Sequence, residues 1–207
     1  MSTPHHRPRG TETQSRILEC AVQIASVEGL DAMSLATLAE ATQMSKSGLF
    51  AHFRSKEALQ IAIVDEAERM FRAAVIEPAM GMAGFARLTA LIEGYTNYAG
   101  GTLFQGGCFF AAAVHEFDGR PGLVRDRLGV FLAMWNREIK DAVDDAIARK
   151  EITVSTTGES VAFWATGVGL SLNWNAQMGN REQALALGKA AVASFLYFLA
   201  NGRTLAK

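Results

Sequence analysis

The chain is poor in several things that define whole classes of protein. Two cysteines, Cys20 and Cys108, stand far apart among 207 residues with no CxxC pair, which leaves no framework for a disulfide-stapled secreted domain or a zinc cluster. Only four prolines interrupt the chain, so long stretches are free to run as unbroken helix. Neither sign of charge dominates: 20 Lys+Arg stand against 21 Asp+Glu, and the whole-chain field selects no partner by itself. The four histidines, His5, His6, His52 and His115, have no metal-ligand spacing, and neither a metal nor a cofactor is expected. The N-terminal MSTPHHRPRG lacks the apolar core of a signal peptide, which gives the expectation of a cytoplasmic protein. Two uncharged stretches, 94–114 and 160–180, reach membrane-spanning length. Five glycines with Asn97 and Gln105 in the first, and Asn173, Asn175, Gln177 and Asn180 in the second, are costly in lipid. Both read as buried protein segments, and no membrane partner is expected.

Hydrophobic residues make up 49% of the chain, enough to bury a sizeable core. Apolar positions recur at helical spacing, and no stretch alternates with the period of a strand, so the protein should be all-α. Ile17, Ala21, Ile24 and Ala25 form one face of a first helix that Gly29 can close. Ser34 can cap a short helix over 35–42, a turn follows at Gln43-Met44, and Ser45 can cap a third helix over 46–52. Ser55 caps a fourth, with Glu57 favoured by the helix dipole, that should run from Lys56 to Pro78. Further helices are expected near 84–99, 107–118, 121–150, 158–179 and 182–200, with Pro121 in a first turn. About nine helices result, in two units: 1–56 and 57–207.

Charge matters more by position than by sum. Residues 1–56 hold six Lys/Arg against five acids, and Lys46, Arg54 and Lys56 fall within eleven residues. The stretch 34–53 is a short helix, a tight turn and a second short helix, the grammar of a helix-turn-helix. Leu35, Leu38, Leu49 and Phe53 would bury its inner faces. Lys46, Ser47, Gly48, Phe50 and His52 would then face outward on a helix that fits a DNA major groove. Small Ser47 and Gly48 allow close backbone approach, while Lys46 and Lys56 can meet phosphate.

The residues Arg16-Ile-Leu, Ala25, Glu28-Gly29, Ser34-Leu35, Leu38-Ala39, Met44 through Phe50, His52-Phe53 and Ser55 through Leu59 resemble the DNA-binding domain of the TetR/AcrR transcriptional repressors. The resemblance spans about 16–63. It implies a nine- or ten-helix homodimer whose N-terminal three-helix bundle binds a palindromic double-stranded operator and whose larger C-terminal body holds an effector and the dimer contacts. It further implies Ser34, Thr37 and Lys56 near phosphate and Ser45, Lys46, Ser47, Gly48, Phe50 and His52 at the recognition helix. Two positions depart from the family pattern. Gln43 replaces the turn glycine, at a cost of about 1 kcal/mol if it takes positive φ. Phe50 replaces a tyrosine and deletes a hydroxyl that could bond phosphate. The segment from Gly106 to Arg125 also resembles C-terminal domains in one subset of the family.

Other residues carry paired readings. Arg7 and Arg9 are either a minor-groove arm or a solvated terminus. Cys108, behind Gly106-Gly107, is either a redox thiol at a helix start or a small buried residue. His115, Glu116 and Asp118 have acidic and basic groups but no paired nucleophile, and no enzyme is expected. A pocket for a small apolar or amphipathic effector is expected among Phe71, Tyr95, Tyr98, Phe109, Phe110, Trp135, Trp164 and Asn175. The last two helices are apolar on more than one side, and Val161, Trp164, Val168, Leu172, Val192, Phe195, Leu196 and Leu199 are assigned to a homodimer interface. The function these readings imply is a dimeric regulator, a repressor released from its operator by an effector. The alternative is a helical binding protein or enzyme that keeps a vestigial DNA-binding bundle.

Overall fold

A computed structural model describes residues 9–202, with the side chains of residues 9–12 and Phe50 outside the description. The histidines at 5 and 6 and most of the arginine arm lie outside it. Among the described residues there are nine α-helices and no strand: α1 Arg9–Glu28, α2 Leu35–Thr42, α3 Lys46–His52, α4 Lys56–Phe71, α5 Gly84–Gly100, α6 Phe109–Phe117, α7 Leu123–Ala148, α8 Gly158–Met178 and α9 Arg181–Asn201.

Local chemistry sets most of the boundaries. Gly29 closes α1 at φ 94°, its amide bonded to the Ala25 carbonyl, a conformation in which a side chain is strained. Ser34, Ser45, Ser55, Thr157 and Asn180 each cap a helix by accepting from a backbone N–H three residues on. Three boundaries differ from expectation. The fourth helix is α-helical only to Phe71, widens to a π segment over Arg72–Ile76 and tightens to a 3-10 turn over Glu77–Ala79. Within the wide turn the Glu77 amide bonds the Arg72 carbonyl, five residues back, directly before Pro78, which has no amide hydrogen to offer. Pro121 precedes α7 rather than entering its first turn, because Gly122 at φ 151° turns the chain into the helix. Gly107, at φ 90°, delays α6 to Phe109.

α1, α2 and α3 pack into a small bundle through Ile17, Leu38, Leu49 and Phe53, all buried. α4 lies against α1 and α7, and α5, α7, α8 and α9 interlock in the larger body. Buried residues run in one continuous cluster from Ile17 to Leu199. Its centre is Phe71, whose ring meets Tyr98, Phe131 and Trp135 edge to face at 4.9, 5.1 and 5.4 Å, the arrangement ring quadrupoles favour. Among the described residues one helix, α9, is long and apolar enough to cross a membrane. Its inner stripe of Ala184, Gly188, Val192, Leu196 and Leu199 is buried in the body.

Gln43 occupies the left-handed region at φ 55° and ψ 29° between α2 and α3, as the missing turn glycine requires. Gln43→Gly is expected to stabilise the chain by about 0.5–1 kcal/mol and Gln43→Val to destabilise it, read from the midpoint of urea unfolding.

Candidate DNA-binding and effector sites

The Ser34 hydroxyl accepts from the Thr37 amide at 3.1 Å and sits 2.9 Å from the Thr37 hydroxyl, so the start of α2 is ordered by its own side chains. Across the turn, the Met44 amide bonds the Ala39 carbonyl at 3.1 Å. Ser45 accepts from the Gly48 amide at 3.1 Å and lies 3.1 Å from the Ser47 hydroxyl. Leu49 and Phe53 are buried; Lys46 and Ser47 are exposed, and Gly48 and His52 half-buried, on the other side of α3. A Cβ on Gly48 would stand 3.2 Å from the Ser45 hydroxyl and press on the cap. Positive charge, small residues and the free amides of a helix start therefore share one outward edge.

Lys56 is not free at that edge. Its ammonium donates to the Asp31 carbonyl at 2.5 Å and lies 3.5 Å from the Asp31 carboxylate. Arg120, just beyond α6, donates to the same carboxylate at 2.6 Å. The Arg120 guanidinium holds the Asp31 carboxyl below the usual carboxylate range, with Lys56 adding to the effect.

These pairs belong to a larger polar junction between the small bundle and the body. Glu116 on α6 accepts from the Leu30 amide at 3.1 Å and the Asp31 amide at 2.7 Å. Gln23 on α1 donates to the Leu103 carbonyl at 2.9 Å and accepts from the Gln105 amide at 3.0 Å. Ser26 accepts from the Gly106 amide at 3.1 Å, and a Cβ on Gly106 would overlap the Ser26 carbonyl oxygen. Arg127 on α7 donates to Asp65 and Glu68 on α4 at 2.6 and 2.5 Å. Sequence reasoning missed Asp31, Arg120, Gln23 and Arg127 as functional residues and considered Glu116 only for acid–base chemistry. Most of these pairs join residues 59 to 89 positions apart, and no local signal marks them.

A cavity of about 500 Å³ opens in the body behind α6. Phe71, Tyr95, Tyr98, Phe110 and Trp135 line it as expected, while Phe109, Trp164 and Asn175 do not. Phe109 is turned into the core against Phe104 and Phe110. Trp164 stacks on Phe195 at 3.7 Å. Asn175 is exposed and donates to the Ser171 carbonyl of its own helix. The amide that reaches the cavity wall is Asn173, whose oxygen accepts from the Cys108 amide at 2.8 Å. Gly169 makes room for Tyr95, whose ring a Cβ there would overlap. Burial pushes the Tyr95 and Tyr98 hydroxyls and the Cys108 thiol upward, so all three stay protonated. Cys108 is therefore a buried cap: its sulfur accepts from the Ala111 amide at 3.4 Å. That removes the low thiol pKa that a redox thiol needs.

The residues assigned to a dimer contact divide. Val161, Leu172, Val192, Leu196 and Leu199 point into the protomer's own core and are buried, so they are corrected from interface to core. Trp164, Val168 and Phe195 are half-buried against that core. Instead, Phe163, Met178 and Leu187 are 85%, 89% and 68% exposed on the outer sides of α8 and α9.

A helix-turn-helix bundle tied to a helical body with an internal cavity defines a DNA-binding regulator with a ligand chamber. Residues 17–63 match the family described as "Bacterial regulatory proteins, tetR family", and residues 84–192 match "Tetracyclin repressor-like, C-terminal domain". The chain belongs to the TetR family of transcriptional regulators, which bind DNA and act as transcription factors rather than enzymes. A TetR transcriptional regulator from Chloroflexus aurantiacus J-10-FL has 24% identity and a TM-score of 0.82, over 92% of this chain and 96% of that one. A TetR family regulator from Cytophaga hutchinsonii has 22% identity and a TM-score of 0.76, over 98% and 100%. AibR, crystallised with isovaleryl coenzyme A and operator DNA, has 20% identity and a TM-score of 0.67, over 90% and 98%. No curated protein sequence matches the chain significantly.

The lowered Asp31 pKa fixes a direction with pH. A carboxyl held below its ordinary 3.8 stabilises the fold above that value and loses its contribution as the pH falls through the lowered one. Asp31→Asn is therefore expected to lower the melting temperature at neutral pH, with the gap to the parent closing as the pH falls below 3.8.

Proposed function

We propose that the chain is a homodimeric repressor that leaves its operator when a small molecule fills the cavity behind α6. One observation carries the reading: α6 both walls the cavity and, through Glu116, holds the turn between α1 and α2. A ligand that shifts α6 pulls on the bundle that presents Lys46 and Ser47. Phe71, at the junction of α4 and its π segment, touches the same cavity, so the helix entering the bundle from the other side feels the ligand too. Such a ligand biases a two-state equilibrium by its differential affinity, and a coupling of about 1–3 kcal/mol gives release by factors of tens. AibR is a related fold whose crystal holds both an acyl coenzyme A and operator DNA, which supports two sites on one scaffold.

In this reading the bundle is the DNA-binding unit, Lys46, Ser47, Gly48, Phe50 and His52 enter the major groove, and Ser34, Thr37, Ser45 and Lys56 meet the backbone. Asp31 competes with phosphate for Lys56. The dimer forms through the outer sides of α8 and α9, where Phe163 and Leu187 are exposed, and sets two recognition helices about 34–36 Å apart, one turn of DNA. The regulator works in the cytoplasm, where its operator lies.

Footprinting on the promoter DNA flanking its own gene tests the reading. The parent chain should protect a palindrome, with affinity falling steeply as salt rises. Lys46→Ala with His52→Ala should abolish protection while leaving the melting temperature unchanged; protection that survives both changes would overturn it. Leu187→Asp is expected to give a monomer by sedimentation and to weaken operator binding at least about tenfold, since half of the contacts are lost. A parent chain that sediments as a monomer while still protecting the palindrome would overturn the dimer.

A further inference from the structure

Two polar atoms on the cavity wall have no partner. Trp135 is 2% exposed and its indole Nε1 is fully buried without a hydrogen bond. The Thr166 hydroxyl, on the facing helix α8, is likewise buried and unpaired. Both residues line the cavity. Buried donors of this kind are uncommon in folded proteins, because losing water without gaining a partner costs free energy. An indole N–H can only donate, so it calls for an acceptor.

The rest of the wall restricts the occupant further. Phe71, Phe110 and Phe131 give flat apolar surface, with the Phe110 and Phe131 rings stacked 3.3 Å apart. No lysine or arginine is among the described residues of the lining. The lining's charged or titratable rim groups, His115 and Asp118, are exposed on and just beyond α6. The groups deeper in, Tyr95, Tyr98 and Cys108, stay neutral. A carboxylate or phosphate in this chamber would be buried with no counter-charge, at a large cost. A coenzyme A thioester, with its phosphates, is a poor match for such a wall.

We infer that the effector is an uncharged, flat apolar molecule bearing a carbonyl-type acceptor, of the aryl ketone, quinone or ester class, seated with that acceptor against the Trp135 indole N–H and the Thr166 hydroxyl. The assignment rests on the cavity being the effector site, as proposed above, and adds the chemistry that fills it.

The test uses the full chain and calorimetric titration with four probes of one shape: a naphthyl methyl ketone, ethylnaphthalene, naphthoate and a naphthylmethylammonium ion. The ketone should bind about tenfold more tightly than ethylnaphthalene, the ratio expected for one buried hydrogen bond, and both charged probes more weakly still. Trp135→Phe and Thr166→Val should each weaken ketone binding and leave ethylnaphthalene unchanged. Equal binding of ketone and hydrocarbon, or tightest binding of either ion, overturns the acceptor assignment while leaving the cavity a ligand site. Binding of no probe at all overturns the assignment and the reading of the cavity together, whereas operator protection would still stand.

Discussion

The molecule turns on one carboxylate. Glu116 reaches from α6 to the turn between α1 and α2 and accepts both the Leu30 and the Asp31 amide. Those amides follow Gly29, which has left the helix at positive φ and so has exposed them. A charge-assisted bond to two adjacent N–H groups is stronger and more directional than apolar contact. It fixes where the small bundle stands relative to the body, whereas the packing of α1 on α4 fixes only that they touch.

Around this point the junction is polar and the chamber is not. Gln23, Ser26, Arg120 and Arg127 bind carbonyls, amides and carboxylates across the boundary. Behind α6 the wall is made of rings. Polar contacts exchange partners more readily than a close-packed core can deform, because water can replace each of them. The softer boundary therefore lies between the DNA-binding bundle and the body, with α6 on both sides of it. The π segment after Phe71 adds a second irregularity next to the same chamber. Wide turns of this kind occur often at functional sites.

Much of this was legible in the residues. The limits of α2 and α3 and the left-handed Gln43 follow from caps and turns only a few positions long. Five of the eight expected cavity residues do line it, because a ring at an inward helical position has few alternatives to the core. Trp164 and Asn175 misled for different reasons. Trp164 found a stacking partner in Phe195 on α9, and Asn175 bonded its own helix, leaving Asn173, two residues earlier, to face inward. The dimer residues misled most. α8 and α9 are apolar nearly all round, and when every side is apolar the helical period cannot say which is inside.

What the residues determined alone is therefore whatever depends on neighbours within about one helical turn: the number and limits of the helices, the caps at Ser34, Ser45 and Ser55, and the small basic edge at Lys46. What only the tertiary structure decided is which sides of α8 and α9 are covered, which rings close on a chamber, and that Glu116 holds a turn 85 and 86 positions away. The division has a physical cause. A cap or a helical stripe is satisfied by backbone already at hand, whereas a pairing across the molecule exists only once the intervening chain has packed and brought two unrelated surfaces within reach of a hydrogen bond.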